Sequence, residues 1–173
     1  MTTTLTLRAV TPDEITTLSN TGYSAYRHHF SAYWDSETEL NAYLDSEYHP
    51  QVIAQSMENT GVSWFFICSS NTITGFCKLT ENSPVTGKTY SGMLLNKLYF
   101  LPGETGKGYG SSAFLLAEDI ARSRLQTCLW LEVLENNTGA RHFYQSQGMT
   151  VTGSLPFMTE QQSSHLLIME KTL

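Results

Sequence analysis

Gly103-Glu104-Thr105-Gly106-Lys107-Gly108-Tyr109-Gly110-Ser111-Ser112 is the segment of this chain with the clearest chemistry. Glycines let backbone N–H groups approach an anion, and a helix starting here adds the positive end of its dipole. The natural occupant is a phosphate or pyrophosphate. Three phosphate-binding patterns compete. A nucleotide P-loop needs Gly, four residues, then Gly-Lys-Ser/Thr. Gly103 and Gly108 keep that spacing, but Tyr109 stands where the lysine must be, which rejects it. The dinucleotide fingerprint is met by Gly108-x-Gly110-x-x-Ala113, with Glu132 placed for a ribose hydroxyl. Only about 60 residues follow the loop, too few for the rest of a doubly wound sheet. The third pattern, Arg/Gln-x-x-Gly-x-Gly/Ala, holds the pyrophosphate of an acyl-CoA; here it reads Thr105-Gly106-Lys107-Gly108-Tyr109-Gly110.

A second cluster lies near the N-terminus: Tyr23, Tyr26, Phe30, Tyr33 and Trp34 around His28 and His29. Ring faces can hold a cation, and two helices packing on a sheet use the same rings. Asp35, Glu37 and Glu39 can draw in a cationic ligand or simply solvate a helix start.

The elements that must position these residues are legible from pattern. Residues 3–10 alternate and read as a strand. Thr11-Pro12-Asp13-Glu14 is a helix start, with Thr11 as cap, Pro12 at the first position and Glu14 closing a capping box. That helix runs to about His29. A second covers 35–48, with Leu40, Tyr43 and Leu44 on one side, and Pro50 opens a third to about Glu58. Strands are expected at 63–69 and 73–80 as a hairpin, then at 93–101, with a loop over 81–91. Residues 111–125 form a helix with Phe114, Leu116, Ala117, Ile120 and Ala121 inward. A strand at 128–134 and a helix at 138–147 closed by Gly148 follow, then strands at 149–153 and 165–171. The order implies a mixed α/β sheet.

Composition narrows the function classes. The 173 residues are 40% hydrophobic and 15% charged, as a folded chain of one domain, 1–173, would be. Ten Lys+Arg against sixteen Asp+Glu give a net charge of −6, without the positive footprint of a nucleic-acid binder. No apolar run reaches the ~20 residues that span a bilayer, and Met1-Thr2-Thr3-Thr4 does not open a signal peptide. Cys68, Cys77 and Cys128 are odd in number and widely spaced, which fits buried thiols in a reducing cytoplasm rather than disulfides or a metal site.

Leu98-Tyr99-Phe100-Leu101-Pro102, the glycine loop, and Leu131-Glu132-Val133 with Asn137, Ala140, Phe143, Tyr144 and Gly148 fall in one order and spacing. On these residues the chain resembles the GNAT superfamily of N-acetyltransferases. Asn41-Ala42-Tyr43-Leu44, Trp64-Phe65-Phe66 and the tail from Phe157-Met158 through Leu167 to Leu173 extend the likeness, more loosely, to bacterial polyamine acetyltransferases of the PaiA type.

The resemblance implies an α/β (α+β) fold: a mixed, mostly antiparallel sheet of about six to seven strands flanked by helices. It implies acetyl-CoA as co-substrate and direct transfer of its acetyl group to a small-molecule amine, a polyamine or other small amine, with a protein amine or an amino-sugar drug left open as acceptor. Neither metal, nucleic acid nor membrane takes part, and a homodimer stays open. Tyr99, Phe100 and Leu101 match a strand whose free backbone groups pair with the pantetheine arm. Thr105, Gly106, Lys107, Gly108, Tyr109, Gly110 and Ser111 match the pyrophosphate loop, with Thr105 where the family usually has Arg or Gln. Asn137 matches a pantetheine contact or a helix cap, Phe143 a CoA-packing or core position, and Tyr144 the general acid. Relatives often carry Glu where Leu94 or Asn96 stands, so the base is open among Glu132, His28, His29 and water. Two rivals remain: an acyl-CoA-binding regulator without turnover, motivated by Leu94 and Asn96, and a nucleotide-binding oxidoreductase, motivated by the dinucleotide match.

Overall fold

The computed structural model describes residues 4–160 and 162–173. Thr3, the expected start of the first strand, and the Met1-Thr2 end lie outside the described residues. Strand β1 is Leu5–Ala9. The start signal after it works through Glu14, whose Oε1 accepts from the Thr11 N–H at 3.1 Å and the Thr11 hydroxyl at 2.9 Å. Arg8 grips the same carboxylate with two bonds, 2.8 and 3.0 Å. A short 3-10 turn, Pro12–Glu14, leads into helix α1, Ile15–Phe30. Helix α2 is Glu37–Tyr48, starting two residues late because Ser36 caps it by accepting from the Glu39 N–H. Helix α3 is Pro50–Ser56.

The remaining elements are β2 (Val62–Ser69), β3 (Thr72–Pro84), β4 (Ser91–Phe100), α4 (Tyr109–Ser123), β5 (Cys128–Leu134), α5 (Thr138–Ser146), β6 (Thr150–Met158) and β7 (Ser163–Thr172). Hydrogen-bonded neighbours run β1-β2-β3-β4-β5-β7-β6. β1 with β2, β5 with β7 and β6 with β7 are antiparallel. β4 and β5 pair in parallel over Met93–Leu129 and Leu94–Trp130. The mixed, mostly antiparallel sheet flanked by helices is therefore as expected, with seven strands.

Two expectations need correction. The loop placed at 81–91 begins later, since β3 continues to Pro84. Asn82 takes a left-handed φ of 51° and donates its N–H to Gln126 Oε1 at 2.9 Å, so the strand bends without ending. The strand placed at 149–153 runs on to Met158, with a register shift between Val151 and Gly153. Pro156 lies within it opposite His165, tolerated because β6 is the last strand of the order and an edge needs no outward N–H.

The chain divides into two compact units, and β3, β4 and α4 each lend a piece to both. The first unit is Met1–Lys78 with Lys97–Leu116. Its core is aromatic: Tyr26, Tyr48, Trp64, Phe66 and Phe76 pack with Leu18, Leu40, Leu44 and Ile53. Gly22 makes room for this on α1, where an added Cβ would lie 2.2 Å from the Tyr48 ring. The second unit is Leu79–Asn96 with Ala117–Leu173. There Val85, Cys128, Trp130 and Ile168 form a smaller cluster. Glu118 is buried on α4 and answers Lys171 and, at 3.2 Å, Arg122. Of the α4 stripe, Phe114, Ala117 and Ala121 are buried, while Leu116 and Ile120 are half-buried. All three cysteines are buried free thiols, as expected. Among the described residues, no helix is long and apolar enough to cross a membrane.

Candidate functional site

The glycine loop sits at a strand-to-helix junction, between Phe100 at the end of β4 and Tyr109 at the start of α4. Gly103, Gly106 and Gly108 take φ of 85°, 77° and 75°. Their added Cβ atoms would meet nothing within 4 Å, so it is the backbone turn that demands glycine there, and the loop's surface is open for a ligand to approach. The first N–H groups of α4 have no intrahelical partner and are ready for an anion. These features fit a pyrophosphate. Lys107 already holds an anion in the loop itself: Nζ donates to Glu104 at 3.0 Å and lies 5.8 Å from the Tyr109 ring centroid. Thr105 and Ser111 are exposed; Tyr109 and Gly110 are half-buried. Tyr109 is 6.2 Å, centroid to centroid, from Phe100.

The strand feeding the loop is not bare of partners. The Leu101 N–H donates to the Thr74 carbonyl at 2.9 Å, and His29 Nε2 lies 2.7 Å from the Phe100 carbonyl. A carbonyl only accepts, so Nε2 carries a proton and donates it. His28 is exposed, edge-on to His29 at 5.0 Å.

Beside this strand the first unit holds a tyrosine cluster. The Tyr26 ring lies 5.0 Å from Tyr43, 6.2 Å from Tyr48 and 6.3 Å from Tyr99. Trp34 Nε1 donates to the Tyr26 hydroxyl at 3.2 Å. Burial pushes Tyr26 up to about 12 and holds Tyr43 and Tyr48 well above the ordinary 10, so all three stay protonated. Glu47, from α2, enters this cluster and accepts from Lys97 Nζ, on β4, at 3.0 Å. Sequence reading missed both. The available signal was a lysine in a strand whose neighbours Leu95 and Leu98 are core residues.

The other sequence-predicted residues belong to the second unit. Asn137 caps α5, its Oδ1 accepting from the Ala140 N–H at 3.2 Å. Phe143 and Tyr144, both half-buried on α5, have rings 5.2 Å apart. The last turn is tied down through the Tyr144 carbonyl, which accepts from the Met149 N–H at 3.0 Å. Glu132 is exposed on β5 and accepts from the Thr86 hydroxyl at 3.0 Å. Among the described residues, no group of three His, Cys, Asp or Glu could hold a metal ion.

Comparison with known proteins bears on this arrangement. The model of the acetyltransferase (GNAT) family matches residues 24–149. An uncharacterized N-acetyltransferase in the pepI 3' region of Lactobacillus delbrueckii subsp. lactis is 24% identical over 120 residues, 67% of this chain and 68% of that protein. The PaiA N-acetyltransferase of Thermoplasma acidophilum, solved in complex with coenzyme A, superposes with a TM-score of 0.75. It is 21% identical, over 98% of this chain and 99% of that one. The spermidine/spermine N-acetyltransferase SpeG of Vibrio cholerae gives a TM-score of 0.67 at 18% identity, over 98% and 92% of the two chains.

Proposed function

The chain belongs to the acetyltransferase (GNAT) family and is an acetyl-CoA-dependent N-acetyltransferase; we propose that its 173 residues act as one domain, in the cytoplasm, on a polyamine or other small primary amine. The carrying observation is the junction of β4 and α4, where three left-handed glycines open a loop onto a helix start. Backbone N–H groups from Gly106 to Ser111 hold the pyrophosphate of acetyl-CoA, with Lys107 adding charge. Tyr99, Phe100 and Leu101 pair with the pantetheine arm, and Asn137 and Phe143 flank it. PaiA, solved in complex with coenzyme A, and SpeG, a spermidine/spermine N-acetyltransferase, support this choice of co-substrate and acceptor class. Three buried, unbridged thiols support the cytoplasm.

The amine nitrogen attacks the acetyl carbonyl carbon, the carbon–sulfur bond breaks, and no acyl-enzyme forms. Tyr144 gives its phenolic proton to the departing sulfur, so that CoA leaves as the thiol. The amine must also lose a proton. An amine of pKa ~10.4 is neutral in about one part in 2,500 at pH ~7, a handicap of roughly 4.6 kcal/mol. Glu132, His28, His29 through Nδ1, or water accepts that proton.

Calorimetric titration with acetyl-CoA, with NAD as control, followed by thiol release with an amine panel that includes spermidine, tests this reading. Binding with amine-dependent release supports it. Binding without release from any amine would favour a regulator, and binding of NAD in place of acetyl-CoA an oxidoreductase. Tyr144→Phe keeps the ring and removes the proton. It should lower turnover about 10²-fold while acetyl-CoA affinity holds. Unchanged turnover would remove Tyr144 from catalysis.

A further inference from the structure

Two lysines of the first unit, Lys78 and Lys97, carry their charge into its interior. Lys97 is 6% exposed. Its ammonium donates to Glu47 Oε2 at 3.0 Å and lies 5.1 Å from the centroid of the Tyr48 ring. An ammonium has three donors, and Glu47 answers one. Lys78, on β3, is half-buried with its Nζ 5.0 Å from the centroid of the Trp64 ring. No carboxylate among the described residues lies within ion-pair distance of it. Burial first, and the Lys97 charge second, lower the Lys78 pKa below its ordinary 10.5. Tyr48 is 0% exposed, and its hydroxyl has no hydrogen-bond partner among the described residues. Lys97 lies on the Tyr48 ring, Lys78 lies on the neighbouring Trp64 ring within reach of the Lys97 charge, and Glu47 is the carboxylate that both feel. Buried donors and charges left so are costly unless something answers them. What answers donors and cations is an anion.

We propose that Lys78, Lys97 and the Tyr48 hydroxyl form an anion subsite of the acceptor pocket, so that the preferred acceptor is a primary amine that also carries a carboxylate or phosphate. This rests on the N-acetyltransferase reading and, of the two acceptor types proposed above, favours the other small primary amines over a polyamine. Location supports it. Phe76 lies 5.8 Å from both Tyr48 and Tyr99, so the subsite borders the β4 segment assigned to the pantetheine arm. A polyamine would bring a second ammonium to a region already in positive excess. An amino carboxylate or aminoalkyl phosphate brings the missing charge and accepts from all three donors. The Lys97–Glu47 pair alone would account for Lys97 as a structural residue, but among the described residues it leaves Lys78 without an ion pair, Glu47 acting on it only at longer range, and the Tyr48 hydroxyl without a partner.

Initial rates with primary amines of equal chain length test the subsite: an alkylamine, an α,ω-diamine, an ω-amino carboxylate and an aminoalkyl phosphate. One of the two anionic amines should exceed the alkylamine in kcat/KM by about tenfold or more, with the diamine lowest. The better of the two names the anion. Lys78→Met should bring the ratio of anionic amine to alkylamine toward one, and Lys78→Arg should retain it. Thermal unfolding of each variant establishes that it is folded. A wild-type preference for the diamine or alkylamine overturns the subsite, as does a ratio that Lys78→Met leaves in place. Acetyl-CoA titration of the same preparation separates the two kinds of failure. Binding with a preference for the diamine overturns the subsite alone; no binding overturns the transferase reading with it.

Discussion

Gly75 on β3 faces the backbone of β4 at the point where acetyl-CoA is assigned. A Cβ added there would lie 2.3 Å from the Tyr99 carbonyl oxygen and 3.0 Å from the Phe100 Cα, against ordinary contact from 3.4 Å. Gly75→Ala therefore forces the two backbones apart by about 1 Å. Backbone cannot turn aside as a flexible side chain does. Overpacking of this kind costs about 1–3 kcal/mol. The Leu101 N–H bond to the Thr74 carbonyl, 2.9 Å, sits beside the collision, and losing it adds about 1 kcal/mol. A total of about 2–4 kcal/mol in a domain of this size lowers Tm on the order of 10 °C. Gly139→Ala is the control. Gly139 lies in the first turn of α5 with nothing within 4 Å of its added Cβ. There the better helix propensity of alanine should gain up to ~1 kcal/mol. Scanning calorimetry on both variants, without ligand, reads the stability difference. Calorimetric titration with acetyl-CoA reads displacement of Tyr99 and Phe100 as weaker binding of Gly75→Ala. A Gly75→Ala protein as heat-stable as the Gly139→Ala control would refute the collision, and with it the claim that β3 fixes this part of β4.

Two further outcomes follow from charge. Glu104 occupies Lys107 in the loop, 3.0 Å away, where the pyrophosphate is assigned. Glu104→Gln should therefore tighten acetyl-CoA binding by about 2–5-fold, the value of one exposed charge, and the gain should shrink with added salt; weaker binding would remove Lys107 from the site. The Arg8 guanidinium beside Glu14, with the Thr11 donors, lowers that carboxyl from its ordinary 4.5 to about 2. A depressed carboxyl stabilises the fold above its unfolded pKa and loses that contribution as pH falls through its folded one. The stability gap between wild type and Arg8→Ala, by urea unfolding, should hold at neutral pH and narrow from 4.5 downward; a gap constant across that window would show that Arg8 acts by packing alone.

Legibility in the sequence followed the range of the interactions involved. The Thr11–Glu14 start and the Asn137 cap each act within three residues, so residue type and spacing reveal them, whereas a start read at Asp35 misses the equally local Ser36 cap. Strand β5 was read to the residue because its run from Cys128 to Leu134 is apolar except for Glu132 and is bounded. The ends of β3 and β6 were not, because each is decided by a distant partner. Gln126 takes the Asn82 N–H that would otherwise end β3. His165 and Ser163 on β7 pair with Pro156 and Met158, residues that by themselves read as loop.

The same physics divides the site. The glycine loop is local: every φ above zero there falls on a glycine, and its spacing alone limits what it can hold. The Lys97–Glu47 pair joins residues 50 positions apart, and no pattern in either neighbourhood announces the other. Its consequence reaches the question left open by Leu94 and Asn96. Leu94 and Asn96 put no carboxylate on that strand, yet α2 brings Glu47 to the next position along it, paired with the buried Lys97 ammonium. Glu47 answers one of the three Lys97 donors, so under the subsite proposed above this point of the strand recognises an anion, and the proton of the amine falls to water or to Glu132, His28 or His29.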